Sequence, residues 1–375
     1  MRVPLRGWAR PRISQQFAQA LDRRELPRGA RTFSIPSLWI TADDSTPASR
    51  TLRCMCLIPR ADLRRRGVSD GEVRVAVRSG SIVPVRRGVY VDPATTDLSD
   101  DRTRRLLELR AAVLSSDSDL VVSHSSAALV HGIDLWPDID RRAHLTANRS
   151  GSGRAGTSRV VHASPLHPDD VTTVDGVRVT SLARTVVDLA CSRPFESSVC
   201  SGDAALRRTT ADDLAATLAR AHGRRGIDRA RRAIAFMDGG AESVGESRSR
   251  VYLHRHGLPA PALQCDVLDE RGRFVGRPDF LFDGVIGEFD GLAKYREYGD
   301  AADVVIAEKL REDRLRSLEW RIERWTWNDL ATSALADRLR AALTAAEGRA
   351  PLGSTRRHGT VANCGEVRVQ DGNRA

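Results

Sequence analysis

The sequence contains little that would tie it to a membrane, a zinc site or an oxidising compartment. Its six cysteines are scattered and form no CxxC pair, so they support neither a zinc site nor a disulfide framework. No apolar run approaches the roughly 20 residues that a transmembrane helix needs. The arginine-rich N-terminus lacks an apolar segment followed by a small-residue cleavage site, which argues against a secretory signal. These absences predict a cytoplasmic protein without membrane partners.

Lysine is almost missing too. Only two of the 59 basic residues are lysines, Lys294 and Lys309, and the remainder are arginines. The formal net charge is nevertheless +10, which favours a polyanionic partner, most commonly nucleic acid. The arginine usage of a GC-rich genome would produce the same balance, so charge alone does not decide for DNA.

A length of 375 residues exceeds one ordinary core and predicts several domains. Composition and patterning suggest five segments. These are a disordered or misannotated N-terminal extension (1–54, with Met55 as an alternative start), a first folded domain (55–97), an α+β middle domain (98–240), a second distinctive domain (241–331), and a helical end with a disordered tail (332–375).

The first folded domain has the pattern of two short helices followed by a hairpin. Residues 58–67 predict the first helix, and Ser69 and Glu72 form a capping box that begins the second. Apolar segments on both sides of Arg86-Arg87-Gly88 predict a hairpin with a basic tip. This order is that of a winged helix-turn-helix.

The middle domain alternates helical and strand patterns, including a hairpin around Asp175-Gly176, without a recognisable catalytic motif. Its histidines, His124, His131, His144 and His162, lack metal-ligand spacing. They are interpreted as structural.

The domain at 241–331 predicts a helix from Ser243, a three-stranded meander, a long helix over 303–318 and a final strand. The meander strands are expected at Leu263–Leu268, Phe274–Phe282 and Val285–Asp290. Asp283-Gly284 between apolar runs predicts a two-residue type I′ turn.

That turn would place Asp279 directly opposite Glu288, with Cβ atoms about 4.5–5.5 Å apart, where like charges repel. A divalent cation between the two carboxylates would convert the repulsion into binding. Asp290 lies on the same strand face as Glu288, because side chains alternate, and Phe289 points to the core. Glu246 on the preceding helix is a candidate fourth carboxylate.

Simpler interpretations exist for each of these residues. The same register sets Asp290 opposite Arg277, which would pair it with a guanidinium. Asp279 and Glu288 would otherwise be solvated on an exposed edge. Glu246 is expected to be a surface helix residue, and Lys294 an ordinary solvated lysine.

Several short stretches of this domain resemble the Vsr-like branch of the PD-(D/E)XK nuclease superfamily. They are Glu246-Ser247, Gln264, 277–280, 287–291, 308–313 and 324–330. The resemblance implies hydrolysis of phosphodiesters, with Mg²⁺ or Mn²⁺ held by Asp279 and Glu288. It also implies that Lys294 offsets charge on the phosphate and that Asp290 orients water or binds a second metal. Two departures are evident: Asp290 stands where the superfamily has lysine, and the histidine usual after the Asp-Gly pair is absent.

The first domain, over 58–63 and 85–90, resembles the winged helix of AbiEi-type antitoxins of type IV toxin–antitoxin systems. The resemblance implies that Arg74 and Arg78 face the major groove and that Arg86 and Arg87 meet phosphates. It also implies a nucleotidyltransferase-like toxin as partner. The alternative is a solvated arginine face.

The sequence therefore predicts an α+β multidomain protein: a winged helix-turn-helix, an α+β middle domain and a restriction-endonuclease-like α/β domain with a mixed sheet. The leading functional hypothesis is a DNA-binding protein with a Mg²⁺-dependent endonuclease domain. The main alternative is a non-catalytic, antitoxin-like regulator with a degenerate nuclease fold; action on RNA is a third.

Overall fold

A computed structural model describes residues 57–116, 119–137, 140–291 and 301–357, without the side chains of 301–305 and 307. Two compact units divide these residues: one contains 57–132 and 140–179, and the other contains 133–137 and the described residues from 180 onward. The predicted extension at 1–54 lies outside the described residues. The predicted boundaries at 97 and 240 remain predictions.

The first unit contains four helices and nine strands within its described residues. The helices are α1 (Arg60–Arg65), α2 (Asp70–Arg78), α3 (Asp101–Leu114) and α4 (His124–His131). The strands are β1 (Leu57–Pro59), β2 (Val83–Arg86), β3 (Val89–Val91), β4 (Val121–Val122), β5 (Ala143–Ala147), β6 (Arg154–Ala155), β7 (Arg159–Ala163), β8 (Val171–Val174) and β9 (Val177–Thr180).

The helix–helix–hairpin order predicted at the front of the chain is present. The capping box forms as expected: the Glu72 amide donates to Ser69 Oγ (3.2 Å), and the Ser69 amide donates to Glu72 (2.8 Å). The strand β1, which was not predicted, pairs with β3 and completes a three-stranded sheet in the order β1-β3-β2. A small core of Leu63, Val73 and Ile82 with their apolar neighbours lies beneath the two helices.

The rest of this unit is a six-stranded mixed sheet in the order β6-β7-β5-β4-β9-β8. The hairpin around Asp175-Gly176 is confirmed, and both residues have positive φ (49° and 77°), as a type I′ turn requires. Helices α3 and α4 cover the sheet. Val91 of β3 is buried in the same core as Leu107 and Leu145, so the front sheet and the six-stranded sheet share apolar packing.

The second unit begins with four helices: α5 (Leu182–Ser192), α6 (Phe195–Leu206), α7 (Ala211–Arg220) and α8 (Ile227–Phe236). Helix α6 was not predicted; its sequence FESSVCSGDAAL has few strong apolar positions. Close packing through Gly202, whose Cβ position is filled by the Met237 side chain, holds it in place instead. Tertiary contact therefore outweighs a weak local pattern.

The remaining elements are three helices, α9 (Val244–Arg255), α10 (Ala301–Ser317) and α11 (Ala334–Ala346), and seven strands. The strands are β10 (Ala262–Leu263), β11 (Cys265–Leu268), β12 (Phe274–Gly276), β13 (Phe280–Leu281), β14 (Val285–Asp290), β15 (Arg321–Thr326) and β16 (Ser354–Arg357). They form two sheets, β10-β13-β14-β15 and β12-β11-β16. The first is mixed, because β13 is antiparallel and β15 parallel to β14.

The prediction of three continuous meander strands was wrong for two of them. The first breaks at Gln264, whose φ of +50° turns the chain between β10 and β11. The second breaks around Pro278, which has no N–H to donate to a sheet. The halves of both strands pair in different sheets.

The two-residue turn at Asp283-Gly284 closes the expected hairpin, but its type was predicted wrongly. The Phe282 amide donates to the Val285 carbonyl (2.8 Å), and Phe280 pairs with Gly287, so the register is confirmed. Only Gly284 has positive φ (+71°), whereas a type I′ turn needs it at both central residues.

The C-terminal tail was expected to be disordered from about 349, and this was wrong for its first part. Strand β16 pairs with β11 in register Cys265↔Arg357 to Leu268↔Ser354. The helical end is confirmed by α11. The rest of the tail lies outside the described residues.

The described chain is thus α+β, with mixed sheets. Among its helices, none has the length and apolar character that crossing a bilayer would demand.

Gly287 shows how tightly the C-terminal sheet packs. A Cβ at this position would lie 2.4 Å from the Trp325 ring, which is itself only 1% exposed. We expect Gly287→Ala to lower the free energy of unfolding by about 1–3 kcal/mol through overpacking. Urea denaturation measures this free energy of unfolding. Gly71→Ala on helix α2 is the control, since a Cβ there would lie 3.8 Å from its nearest neighbour, Ser69 Oγ; equal stability of both variants would contradict this packing.

Candidate functional site

Strand β14 places its side chains alternately on two apolar layers. Val285 and Phe289 pack toward α9 and α11, whereas Ile286 packs against the layer that contains Leu315 of α10. Glu288 shares the face of Ile286 because strand side chains alternate. The predicted orientation of Phe289 into the core is therefore observed, and Glu288 faces α10.

Glu288 is buried (8% exposed) and is bound by two arginines. Arg311 on α10 donates from Nη2 to Glu288 Oε1 (2.7 Å). Arg324, directly opposite Glu288 in the parallel pair β14–β15, approaches Oε2 to 2.9 Å. Both carboxylate oxygens therefore have a charged donor, the arrangement that makes a buried carboxylate tolerable.

The two arginines are themselves held by further glutamates on α10. Arg311 donates to both oxygens of Glu308 (2.9 and 2.7 Å), and Arg324 lies 2.6 Å from Glu308 and 3.2 Å from Glu312. The hydrogen bond from Arg311 holds the pKa of Glu308 below its usual value, and the same bond raises the pKa of Arg311. Three glutamates and two arginines thus form one network, which we call the Glu288 network.

Asp279, directly before β13, binds to the backbone of the same hairpin. Its Oδ2 accepts the backbone N–H of Phe289 (2.8 Å). This bond extends the hairpin by one step beyond the Phe280–Gly287 pair. Asp279 is half-buried, so neither it nor Glu288 is a freely solvated edge residue.

The expectation that Glu246 is a surface residue was wrong, because Glu246 is 7% exposed. Its carboxylate accepts from the Glu242 amide and from Ser243 Oγ, both at 2.8 Å, while its own amide donates to Ser243 Oγ (3.2 Å). These bonds cap the first turn of α9. Gln264, at the strained φ noted above, donates to the same carboxylate at 3.4 Å.

The structure describes only one of the other two predicted catalytic residues. Asp290 is half-buried, at the end of β14 beside Thr326. Arg277, its suggested partner, donates from Nε to Asp266 (2.8 Å) instead. Lys294 lies outside the described residues. Lys309, the other lysine, is exposed on α10.

The four arginines predicted to contact DNA all lie in the first unit. Arg74 and Arg78 are exposed, one turn apart on the side of α2 opposite Val73 and Ala76. Arg87 is exposed at the hairpin tip. Arg86 is half-buried and donates from Nη2 to Ser158 Oγ (2.9 Å).

Three of the histidines that looked unrelated in the sequence meet in the six-stranded sheet. The rings of His124 and His162 stack with centroids 3.6 Å apart. His144 Nδ1 is 2.9 Å from His162 Nε2, and its Nε2 is 3.0 Å from Asp140 Oδ2. Parallel β5–β7 pairing brings His144 and His162 together, which spacing along the chain could not reveal.

Stacked rings direct their nitrogen lone pairs in parallel planes, so these histidines do not converge on one point. Within the described segments, no group of three or more His, Cys, Asp or Glu side chains is arranged to hold a metal ion. Bonding from Arg142 is the main reason that the pKa of Asp140 lies well below its usual value.

No family model matches the sequence. The chain is 32% identical over 153 residues to the uncharacterised proteins MT2308 and Rv2248 of two Mycobacterium tuberculosis strains, which covers 40% of this chain. The chain spans only about half (55%) of the length of these curated relatives. A crystal structure of the Rv2827c protein from the same species aligns with a TM-score of 0.35 and 16% identity, over 54% of this chain and 78% of that one.

Removal of one arginine tests how much the Glu288 network contributes to the free energy of unfolding. We expect Arg311→Ala to lower the free energy of unfolding by about 2 kcal/mol, because it leaves a buried carboxylate with one donor fewer. Arg231→Ala on α8 is the control; Arg231 is 54% exposed and pairs with Asp228 outside the network, so its loss should cost less than about 1 kcal/mol. Equal losses in chemical denaturation would show that the network is no stronger than a surface pair.

Proposed function

We propose that the protein binds duplex DNA through its front helix–helix–hairpin, as a winged helix-turn-helix, and that its C-terminal nuclease-like domain does not hydrolyse phosphodiesters. This is the regulator hypothesis among those that the sequence raised. The observation that carries it is the pairing of Glu288 with Arg311 and Arg324.

A divalent cation between Asp279 and Glu288 does not fit this arrangement. Each oxygen of Glu288 already faces a guanidinium, so an entering cation would lie close to two positive groups and displace at least one of them. The repulsion that first suggested a metal is relieved by the arginines. Asp279, in turn, accepts a backbone N–H.

The replacement of the superfamily's lysine by Asp290 agrees with this proposal. A lysine there would stabilise negative charge that develops on the phosphate. A carboxylate has the opposite effect unless a cation accompanies it, so the exchange removes a catalytic group and adds repulsion toward the substrate.

Support for DNA binding comes from unpaired positive charge at the front of the chain. Among the described residues, no carboxylate pairs with Arg74, Arg78 or Arg87. These exposed arginines offer positive charge that is not neutralised by a carboxylate, which a phosphate backbone attracts. The exposed positions of Arg74 and Arg78 on α2 suit a helix that enters the major groove.

The proposal predicts that manganese leaves the protein unchanged. A metal that binds only the native state raises the melting temperature by mass action, so we expect no rise with Mn²⁺ and no nicking of supercoiled plasmid in Mg²⁺ or Mn²⁺. Glu288→Gln serves as the reference. A manganese-dependent rise in wild type that Glu288→Gln abolishes, together with nicking, would restore the endonuclease hypothesis.

The hairpin arginines give the second prediction. Arg86→Ala combined with Arg87→Ala should weaken duplex binding. The slope of log Kd against log salt concentration should fall by about 2, since each lost phosphate contact lowers that slope by about 0.9. Fluorescence anisotropy across a salt series measures both. The control, Arg225→Ala with Arg232→Ala, removes the same charge from exposed positions in the second unit. Unchanged binding by the hairpin variant would reassign the hairpin to other contacts.

The nucleotidyltransferase-like toxin remains a prediction from the antitoxin resemblance. Its test is co-purification with such a protein encoded by a neighbouring gene.

A further inference from the structure

Beside the predicted wing lies a second arginine-rich projection. Residues 148–159, with the sequence NRSGSGRAGTSR, link β5 to β7 and contain the short strand β6. All twelve of these residues are exposed. We call this segment the arginine arm, after Arg149, Arg154 and Arg159.

The arm itself carries positive charge only. No aspartate or glutamate occurs from Arg141 to Pro168. Arg141 and Arg142, which precede the arm, pair with Asp101 and Asp140. Within the arm, Arg149 donates to the carbonyls of Ser150 (3.4 Å) and Ser152 (3.3 Å), and Arg159 donates to Ser116 Oγ (3.2 Å). Among the described residues, no carboxylate pairs with the three arginines of the arm.

The arm has a defined shape despite its exposure. Arg154 and Ala155 pair with Val161 and Val160 of β7, and the Gly156 amide donates to the Arg159 carbonyl (2.8 Å). At Gly153 the backbone approaches β7 so closely that a Cβ would lie 2.5 Å from the Val161 carbonyl oxygen. The arm is therefore a hairpin anchored to the sheet.

A direct contact joins the arm to the wing. Arg86 Nη2 donates to Ser158 Oγ at 2.9 Å, and the Ser158 carbonyl in turn accepts from the Ala143 amide of β5 (3.0 Å). The tip of the wing and the arm thus belong to one basic surface within the same compact unit.

We propose that the arginine arm is a second DNA-contacting element, which binds the phosphate backbone of the duplex next to the segment held by the wing. The inference rests on the proposed DNA-binding function and extends it. Arginines that lack acidic partners match the regular negative charge of the duplex, and phosphate contacts of this kind position a protein without reading sequence. The proposal assigns phosphate contacts to the arm, so its contribution to binding is expected to be the same for duplexes of different sequence.

The test compares four proteins, the wild type and the wing, arm and control variants, for binding to a labelled duplex across a salt series. Arg149→Ala, Arg154→Ala and Arg159→Ala together should raise Kd and reduce the salt slope by about 2–3, in addition to the loss caused by the wing variant. The control removes Arg225, Arg231 and Arg232, which lie on or next to α8 in the second unit. Circular dichroism and melting temperature establish that each variant is folded.

The outcomes separate the two proposals. A reduced slope in the arm variant with a normal slope in the control supports the arm. If the arm variant and the control both keep the wild-type salt slope while the wing variant is impaired, the arm proposal is overturned and the DNA-binding proposal stands. A wild-type protein without affinity for duplex overturns both. An equal loss in the arm variant and the control would show a general effect of net charge and would also overturn the arm.

Discussion

The buried carboxylate of Glu288 is the constraint on which the C-terminal domain is built. A charge at 8% exposure is costly unless it is paired, and here two guanidinium groups reach it from different elements, Arg311 from α10 and Arg324 from β15. For both arginines to reach Glu288, α10 must lie across the sheet and β15 must pair in parallel with β14 in the observed register. The ion network thereby specifies how a crossover helix and its following strand dock, while the apolar layers on both sheet faces provide the bulk of the stabilisation.

The same network accounts for one of the carboxylates that the sequence nominated as a catalytic site. Three of these carboxylates have hydrogen-bond or ion-pair partners within the protein. Glu246 caps α9, Asp279 extends the β-hairpin through the Phe289 amide, and Glu288 holds two arginines. Among the described residues, exposed arginines without a carboxylate partner lie on α2, at the hairpin tip and along the arginine arm of the first unit. In our proposal, DNA binding belongs to this unit.

Local sequence patterns correctly predicted those elements that are stabilised by interactions within a few residues. The capping box at Ser69 and the Asp175-Gly176 hairpin formed as expected, since both depend on side-chain and backbone chemistry within a few residues. Strand continuity failed at Gln264 and Pro278, where the chain moves between two sheets, and helix α6 was missed because packing rather than pattern defines it. The strand β16 escaped prediction for a similar reason: a short polar segment becomes ordered only through the partner that β11 offers.

The sequence by itself determined the hairpin register in which Phe280 pairs with Gly287, because the two-residue turn fixes which residues face each other. It also determined the exposed arginines of α2, through helical periodicity. Only the tertiary structure decided what the carboxylates of Asp279 and Glu288 contact, since the parallel register of β15 and the position of α10 follow from long-range packing. The meeting of His124, His144 and His162, and the contact between wing and arm, were decided in the same way, because residues far apart in the chain become neighbours only when the sheet forms.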